Sequence, residues 1–237
     1  MTNEEGATGL RRFVRRPAGT QGPPTAPAPG AQDPRTHDPG QQAPAAERCE
    51  LCGTALDDRH GHLVDTDKRS IACACRACYL LFTHQGAAAG GRYRAIPERI
   101  CHDPERPLAA ADWNELQIPV TMAFFFVNSA LDRVVAGYPS PGGVTECELD
   151  LEAWDRLAAA YPLLAELTPD TEAIFVNKDE VFLIPIDRCY SLVGELRLYW
   201  QGFDGGAEAR AALDRFLDGL RHRAVALERQ PLEMEEH

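Results

Sequence analysis

Five of the eight cysteines lie within a stretch of thirty residues, and their spacing restricts what this part of the chain can fold into. Cys49 and Cys52 form one Cys-x-x-Cys pair, Cys75 and Cys78 form a second, and 22 residues separate the two pairs. A Cys-x-x-Cys turn directs two sulfur atoms toward one point, so two such turns can surround a single cation. The spacing therefore predicts a metal ribbon in which these four cysteines are the ligands.

Zinc is the metal that this ligand set favours, because structural zinc sites are commonly tetrahedral and built from four cysteine thiolates. Iron in a rubredoxin-like site is the alternative, since tetrahedral sulfur suits both metals. Gly53 follows the first pair, at a position where a positive φ is often required, whereas Tyr79 follows the second pair. The lack of a second glycine favours zinc over iron.

The fifth cysteine leaves the ligand set open. Cys73 lies two residues before Cys75, so Cys73 with Cys78 could replace the second pair. We prefer Cys75 because its spacing to Cys78 matches a tight turn, whereas Cys73 still belongs to the preceding strand. His60 and His62 are interpreted as ordinary loop and strand residues, because five thiolates are already available as ligands.

The residues between the two pairs predict a hairpin. Segments 62–65 and 69–72 have the composition of two short strands around a turn at 66–68. This hairpin would return the second cysteine pair to the first. A unit of this size is too small for a hydrophobic core of its own, so metal binding would supply much of its folding free energy.

The first part of the chain has a different composition. Residues 1–48 contain eight of the 18 prolines and no aliphatic residue larger than alanine after Val14, which predicts a disordered tail. These residues hold six arginines against five acidic residues, and the whole chain carries −12, so residues 49–237 carry −13. A body this acidic argues against nucleic acid and anionic membrane surfaces as partners.

The sequence also bears on localisation. No segment approaches the ~20 apolar residues that a membrane-spanning helix requires. The segment Arg11-Arg12-Phe13-Val14 begins with an arginine pair like that of a twin-arginine export signal. The apolar segment that such a signal requires does not follow it. We therefore expect a cytoplasmic protein whose thiols stay reduced.

The rest of the chain predicts a larger domain of the α+β class, with a mostly antiparallel sheet packed against about three helices. Asp150 and Asp187 are predicted helix N-caps, and a third helix contains Leu213 and Leu220. Predicted strands lie at 120–127, 132–138, 144–149, 173–176 and 181–186. The predicted organisation is a tail at 1–47, the metal ribbon at 48–84, a connector at 85–117, the α+β domain at 118–226 and an acidic tail at 227–237.

Catalytic signatures are missing from the sequence. It contains no glycine-rich phosphate loop, no His-Glu-x-x-His motif and no nucleophile elbow. Cys147 and Cys189 fall on the packing faces of a predicted strand and helix, so both are interpreted as core residues. Cys101 and His102 are adjacent, and sequence neighbours rarely face each other as nucleophile and base. We therefore expect no catalytic activity.

Several short motifs carry a resemblance to a known family: Leu10-Arg11-Arg12-Phe13, Cys49-Glu50-Leu51-Cys52-Gly53, Ala72-Cys73-Ala74-Cys75-Arg76-Ala77-Cys78, Leu80-Leu81-Phe82, Gly91-Arg92-Tyr93-Arg94, Tyr138-Pro139-Ser140-Pro141 and Ile184-Pro185-Ile186-Asp187-Arg188-Cys189-Tyr190. With these motifs, residues 47–220 resemble an uncharacterised bacterial domain family of unknown function, encoded near nickel–iron hydrogenase genes. The resemblance implies a setting in hydrogenase assembly or electron supply. It supplies no catalytic residue.

These observations predict a non-catalytic zinc-ribbon accessory or adaptor protein. The resemblance implies a protein partner, either a hydrogenase subunit or a maturation factor, and residues 10–14 could dock on it through their apolar residues and an arginine pair. One alternative is a rubredoxin-like iron electron carrier. Another is an enzyme whose site is assembled from residues scattered along the sequence.

Overall fold

The computed structural model describes residues 47–84, 89–147, 149–202 and 205–227. The predicted tail, including the proposed docking segment 10–14, lies outside the described residues except for Glu47. So does the acidic tail beyond Leu227. Among the described helices, none combines the length and hydrophobicity needed to cross a bilayer. The cytoplasmic localisation stays a prediction.

The described residues form an α+β fold with two sheets that are mostly antiparallel, as predicted. The small sheet has three strands in the order β2-β1-β3, and both pairings are antiparallel. Its strands are β1 (Gly61–Asp65), β2 (Ser70–Ala74) and β3 (Tyr93–Ala95). The first two are the predicted hairpin, with ends shifted by one or two residues, and the third comes from the predicted connector.

The large sheet has seven strands, and all of its pairings are antiparallel except that of its first two members. Its spatial order is β10-β4-β9-β8-β5-β6-β7. The strands are β4 (Cys101–His102), β5 (Met122–Asn128), β6 (Arg133–Ser140), β7 (Gly143–Cys147), β8 (Glu172–Asn177), β9 (Glu180–Pro185) and β10 (Val225–Ala226).

Six α-helices lie among the described residues: α1 (Arg76–Leu80), α2 (Ala110–Glu115), α3 (Leu151–Ala160), α4 (Pro162–Ala165), α5 (Ile186–Tyr199) and α6 (Gly206–Arg223). The three longest, α3, α5 and α6, are the three that the sequence predicts. Asp150 is the N-cap of α3, because its carboxylate accepts hydrogen bonds from the amides of Glu152 and Ala153.

The predicted N-cap of α5 is wrong. Pro185 ends β9 and is itself the N-cap residue, so Asp187 lies inside the first turn of α5. The amide of Ile186 donates to the carbonyl of Thr171, which satisfies one of the free donors at the helix start without any side-chain cap. The Asp187 carboxylate is therefore available for another partner, His62, whose Nδ1 lies 2.7 Å from Asp187 Oδ2.

The apolar run in β5 is explained by the position of this strand inside the large sheet, between β8 and β6. Phe124 packs into a core that includes residues of α5 and α6. Its neighbour Phe125 points to the other face and packs into a second core with Trp154 of α3. Because both faces are covered, nearly every residue of β5 is apolar. Cys189 is fully buried in the first core, as predicted.

The small sheet shares its packing with the large one, and the described residues belong to one compact unit. Val64 of β1, together with Ile96 and Ile100 after β3, belongs to the same buried cluster as Ile186 at the start of α5. The predicted connector is thus part of the folded body, because it supplies a strand to each sheet and apolar residues to the core between them.

Candidate metal centre

The four predicted cysteine ligands come together in the structure. One Sγ atom from each of Cys49, Cys52, Cys75 and Cys78 lies within 4.8 Å of all the others. Cys49 and Cys52 lie in the loop before β1, whereas Cys75 is the N-cap residue of α1 and Cys78 lies inside that helix. The β1–β2 hairpin brings the two pairs together, as the sequence predicts.

The two cysteine pairs use different local structures to direct their sulfurs. In the first, the amide of Gly53 donates to the carbonyl of Cys49 at 2.8 Å, and Gly53 has the expected positive φ of 75°. In the second, Cys75 and Cys78 lie on the first turn of α1, where the amide of Tyr79 donates to the carbonyl of Cys75 at 2.9 Å. A helical turn needs no positive φ, which explains why no glycine follows Cys78.

The two loops of the site are also tied to each other. The amide of Glu50 donates to the carbonyl of Cys73 at 2.9 Å. In return, the amide of Cys73 donates to Oε1 of Glu50 at 2.9 Å. This reciprocal pair fixes the first cysteine loop against β2, which leads directly into the second cysteine pair.

The electrostatics of the cluster favour a thiolate at one position and oppose it at another. Burial raises the pKa of Cys49, but hydrogen bonds from the backbone of Cys75, Cys52 and Leu51 outweigh burial and lower this pKa to about 6. Burial and hydrogen bonds with the other three cysteines raise the pKa of Cys78 to about 12. Four thiolates packed this closely repel one another, so a bound cation is needed before all four can ionise.

The sulfur spacing fits a tetrahedral metal ion. A zinc–sulfur bond of about 2.3 Å requires neighbouring sulfurs to lie about 3.8 Å apart in a regular tetrahedron. The Sγ atoms of Cys52 and Cys75 are 3.7 Å apart. The cluster can therefore hold a metal ion with only small side-chain adjustments. The sulfur geometry alone does not distinguish zinc from iron.

Cys73, the possible substitute ligand, is placed with different neighbours. It lies on β2 directly opposite His62 of β1. A ligand atom of Cys73 lies within 4.8 Å of ligand atoms of both His60 and His62. Sequence reasoning missed this second cluster, although alternation in a strand puts residues 60 and 62 on one face and residue 73 on the matching face of its partner.

A cavity of about 670 Å³ opens between the β1–β2 turn and the large sheet. Its wall includes Lys68, Arg69, Glu146, Asp170 and Tyr190. The Asp170 carboxylate is occupied by hydrogen bonds from Ser129 and Arg94. Among the described residues that form the wall, none is a histidine or a cysteine.

Comparison with known proteins gives a family and no relative of known function. Residues 48–224 match DUF5947, a family of unknown function. The chain belongs to the DUF5947 family. No curated protein and no solved structure matches it. The DUF5947 match starts one residue before Cys49 and contains every strand of the two sheets except β10, so in this chain the cysteine cluster is part of the family domain.

Proposed function

We propose that the protein is a non-catalytic zinc-ribbon accessory protein. Cys49, Cys52, Cys75 and Cys78 hold one zinc ion, in a rubredoxin-like ribbon, and the α+β domain acts as an adaptor for a protein partner. The observation that carries the proposal is the convergence of four sulfur atoms from two separate turns, all within 4.8 Å of one another.

A structural role for the ion follows from the completeness of the ligand set. Four protein thiolates fill a tetrahedral zinc site and leave no position for a substrate, which is the arrangement of structural sites. Among the described residues, the local core around the cluster has four that are buried, with partly buried side chains packed against them; the four are Cys49, Leu63, Ala74 and Phe82. A core this small provides little stability, so the ion supplies much of the folding free energy of the ribbon.

The partner in this proposal is a subunit or a maturation factor of a nickel–iron hydrogenase. Its support is the resemblance to a family encoded near hydrogenase genes. An adaptor role agrees with a ligand set that has no open position. The acidic body further argues for a protein as partner rather than a nucleic acid.

Metal analysis of the native protein tests the first half of the proposal. Inductively coupled plasma mass spectrometry of the wild-type chain is expected to find zinc, and Cys75→Ser is expected to lose one zinc ion per chain. Cys147→Ser is the matched control, because Cys147 lies on β7 outside the cluster. An unchanged zinc content in Cys75→Ser refutes the ligand set. Visible absorption that bleaches on reduction and returns on oxidation would instead establish the iron electron carrier.

Affinity purification tests the second half. The tagged wild-type chain, expressed in cells that produce a nickel–iron hydrogenase, is expected to co-purify with a hydrogenase subunit or maturation factor. Cys75→Ser is expected to weaken this recovery, because the ribbon loses its ion, whereas Cys147→Ser is expected to retain it. Purification of the wild-type chain alone under gentle conditions contradicts the adaptor role.

A further inference from the structure

A second group of metal-type side chains lies beside the four-cysteine cluster and does not belong to it. His60 precedes β1, His62 lies on β1, and Cys73 faces His62 across the β1–β2 pairing. One ligand atom from each residue lies within 4.8 Å of the other two. The two imidazole rings meet edge to face, with centroids 4.9 Å apart. Two imidazoles and a thiol at this spacing form a set that borderline metals such as zinc favour.

Both histidines are oriented in the way that metal ligands usually are. His60 Nδ1 lies 2.9 Å from the carbonyl oxygen of Asp57, and a carbonyl can only accept, so this nitrogen carries the proton. His62 Nδ1 lies 2.7 Å from the Asp187 carboxylate and donates to it. In each neutral ring the Nε2 atom therefore keeps a free lone pair. Metal-binding histidines typically donate their second ring nitrogen to a carbonyl or a carboxylate.

The burial of His60 provides an independent observation that supports a metal ligand at this position. Its side chain is only 10% exposed, and its Nε2 atom is buried without a hydrogen-bond partner. Glu47 Oε2 lies 3.7 Å from this nitrogen, which is too far for a hydrogen bond but close enough for both atoms to share one cation. A buried lone pair without a partner is unfavourable, and a metal ion would satisfy it.

We propose that His60, His62 and Cys73 form a second zinc site, with the two Nε2 atoms and the Cys73 sulfur as ligands. Glu47 is placed to provide the fourth ligand through its carboxylate. This site is separate from the four-cysteine site and goes beyond the proposed function. It also differs in kind, because His60, His62 and Cys73 come from a short loop and two paired strands rather than from two Cys-x-x-Cys turns.

Zinc stoichiometry of the full chain tests the second site. Native mass spectrometry at saturating zinc is expected to show two ions bound to the wild-type chain, and one ion bound to His60→Ala and to Cys73→Ser. His84→Ala is the matched control, because it removes an exposed imidazole near the same sheet that belongs to neither cluster, and it is expected to keep two ions.

Cobalt substitution separates loss of the second site from loss of the fold. In Cys73→Ser, the absorption of the four-thiolate site is expected to remain, and the bands from the second cobalt ion are expected to disappear. Cys75→Ser is expected to give the opposite result. The two sites, and therefore the two proposals, can fail independently in this experiment.

Asp187→Asn tests the second site without touching a ligand. It weakens the acceptor that orients His62, and such changes typically reduce metal affinity about 10–100-fold. The expected result is a loss of this size at the second site, measured by competition with a chelator, with the four-cysteine site unaffected. A single ion in the saturated wild-type chain overturns the proposal, and so does a second ion that survives both His60→Ala and Cys73→Ser. The number of zinc ions bound to the wild-type chain tests the second site even if one of the variants folds poorly.

Discussion

Arg99 connects the segment between β3 and β4 to the start of β8 in the large sheet, and Arg99→Ala is expected to destabilise the whole domain. The Nε atom of Arg99 donates to Oε1 of Glu172 at 2.6 Å, and its Nη2 atom donates to Oε2 at 2.9 Å. Glu172, the first residue of β8, is fully buried. Its other hydrogen bond comes from the amide of Thr168 at 3.1 Å. The substitution thus leaves a buried carboxylate with one remaining donor.

The expected loss of stability depends on the different exposure of Arg99 and Glu172. Removing one member of a buried ion pair costs about 3–5 kcal/mol, because the other charge is left buried without compensation. The Arg99 side chain is 42% exposed, so solvent screens part of the interaction, and the Thr168 amide still stabilises one oxygen. We therefore expect a loss at or below the lower end of this range, about 2–3 kcal/mol in the free energy of unfolding.

Urea unfolding of the zinc-loaded protein measures this loss as a lower midpoint at an unchanged slope. Arg156→Ala is the control, because Arg156 pairs with Glu115 at 3.0 Å while both side chains are more than half exposed. An exposed pair of this kind contributes about 0–1 kcal/mol. The double variant Arg99→Ala/Glu172→Gln is expected to recover part of the stability, because a neutral amide is easier to bury than a carboxylate.

The reasoning is refuted if Arg99→Ala lowers the free energy of unfolding by no more than Arg156→Ala does. That result would mean that the Glu172 carboxylate finds water or another donor when Arg99 is removed. A double variant less stable than Arg99→Ala would also contradict the argument, since the argument attributes the loss to an uncompensated charge on Glu172.

Three further predictions concern the ribbon and the large sheet. Removal of zinc by a chelator is expected to abolish hydrogen-exchange protection in β1 and β2 while much of the protection in β8 and β9 remains, which exchange mass spectrometry would show. A hydrogen bond from Arg221 lowers the pKa of Glu180 below its ordinary value of 4.5. The pair therefore stabilises the fold fully at pH values above 4.5, and this stabilisation is lost as the pH falls through the lowered pKa. Glu180→Gln should therefore be less stable than wild type at pH 6, and acid unfolding curves should show the difference closing below pH 4.5. Gly61→Ala is expected to destabilise the ribbon by about 1–3 kcal/mol in urea unfolding, because the new Cβ atom would overlap the part of the Tyr79 ring that is attached to the Tyr79 Cβ atom. The zinc content is expected to stay unchanged.

Local sequence signals were sufficient for the four-cysteine cluster and for most elements of the large domain. Cysteine spacing, the N-cap of α3 and the apolar run of β5 each depend on neighbouring residues, so one sequence contains enough information to predict them. The N-cap of α5 was wrongly assigned to Asp187 because the correct start depends on a hydrogen bond between Ile186 and Thr171. That contact joins residues that are distant in sequence, and no local pattern indicates it.

The second cluster was missed for a related reason. Cys73 is correctly assigned to the second strand of the hairpin, but the pairing register that places it opposite His62 is not predicted. Because five thiolates are already available as ligands, the two histidines are interpreted as ordinary loop and strand residues. The position of Asp187 behind His62 depends on the packing of α5 against the small sheet, which no residue spacing in the sequence could show.

The way the two sheets are joined favours an adaptor whose surface depends on its metal. A ribbon attached by a flexible linker could lose its ion without affecting the other domain. In this protein the first strand of the ribbon contributes Val64 to the core of the large sheet. The hydrogen bond of His62 with Asp187 and the ion pairs of Arg94 with Asp170 and Arg99 with Glu172 also cross between the two parts. Loss of the metal would disorder one side of all these contacts. The large sheet would then expose part of its core, so the metal-loaded and metal-free chains would present different surfaces to a partner.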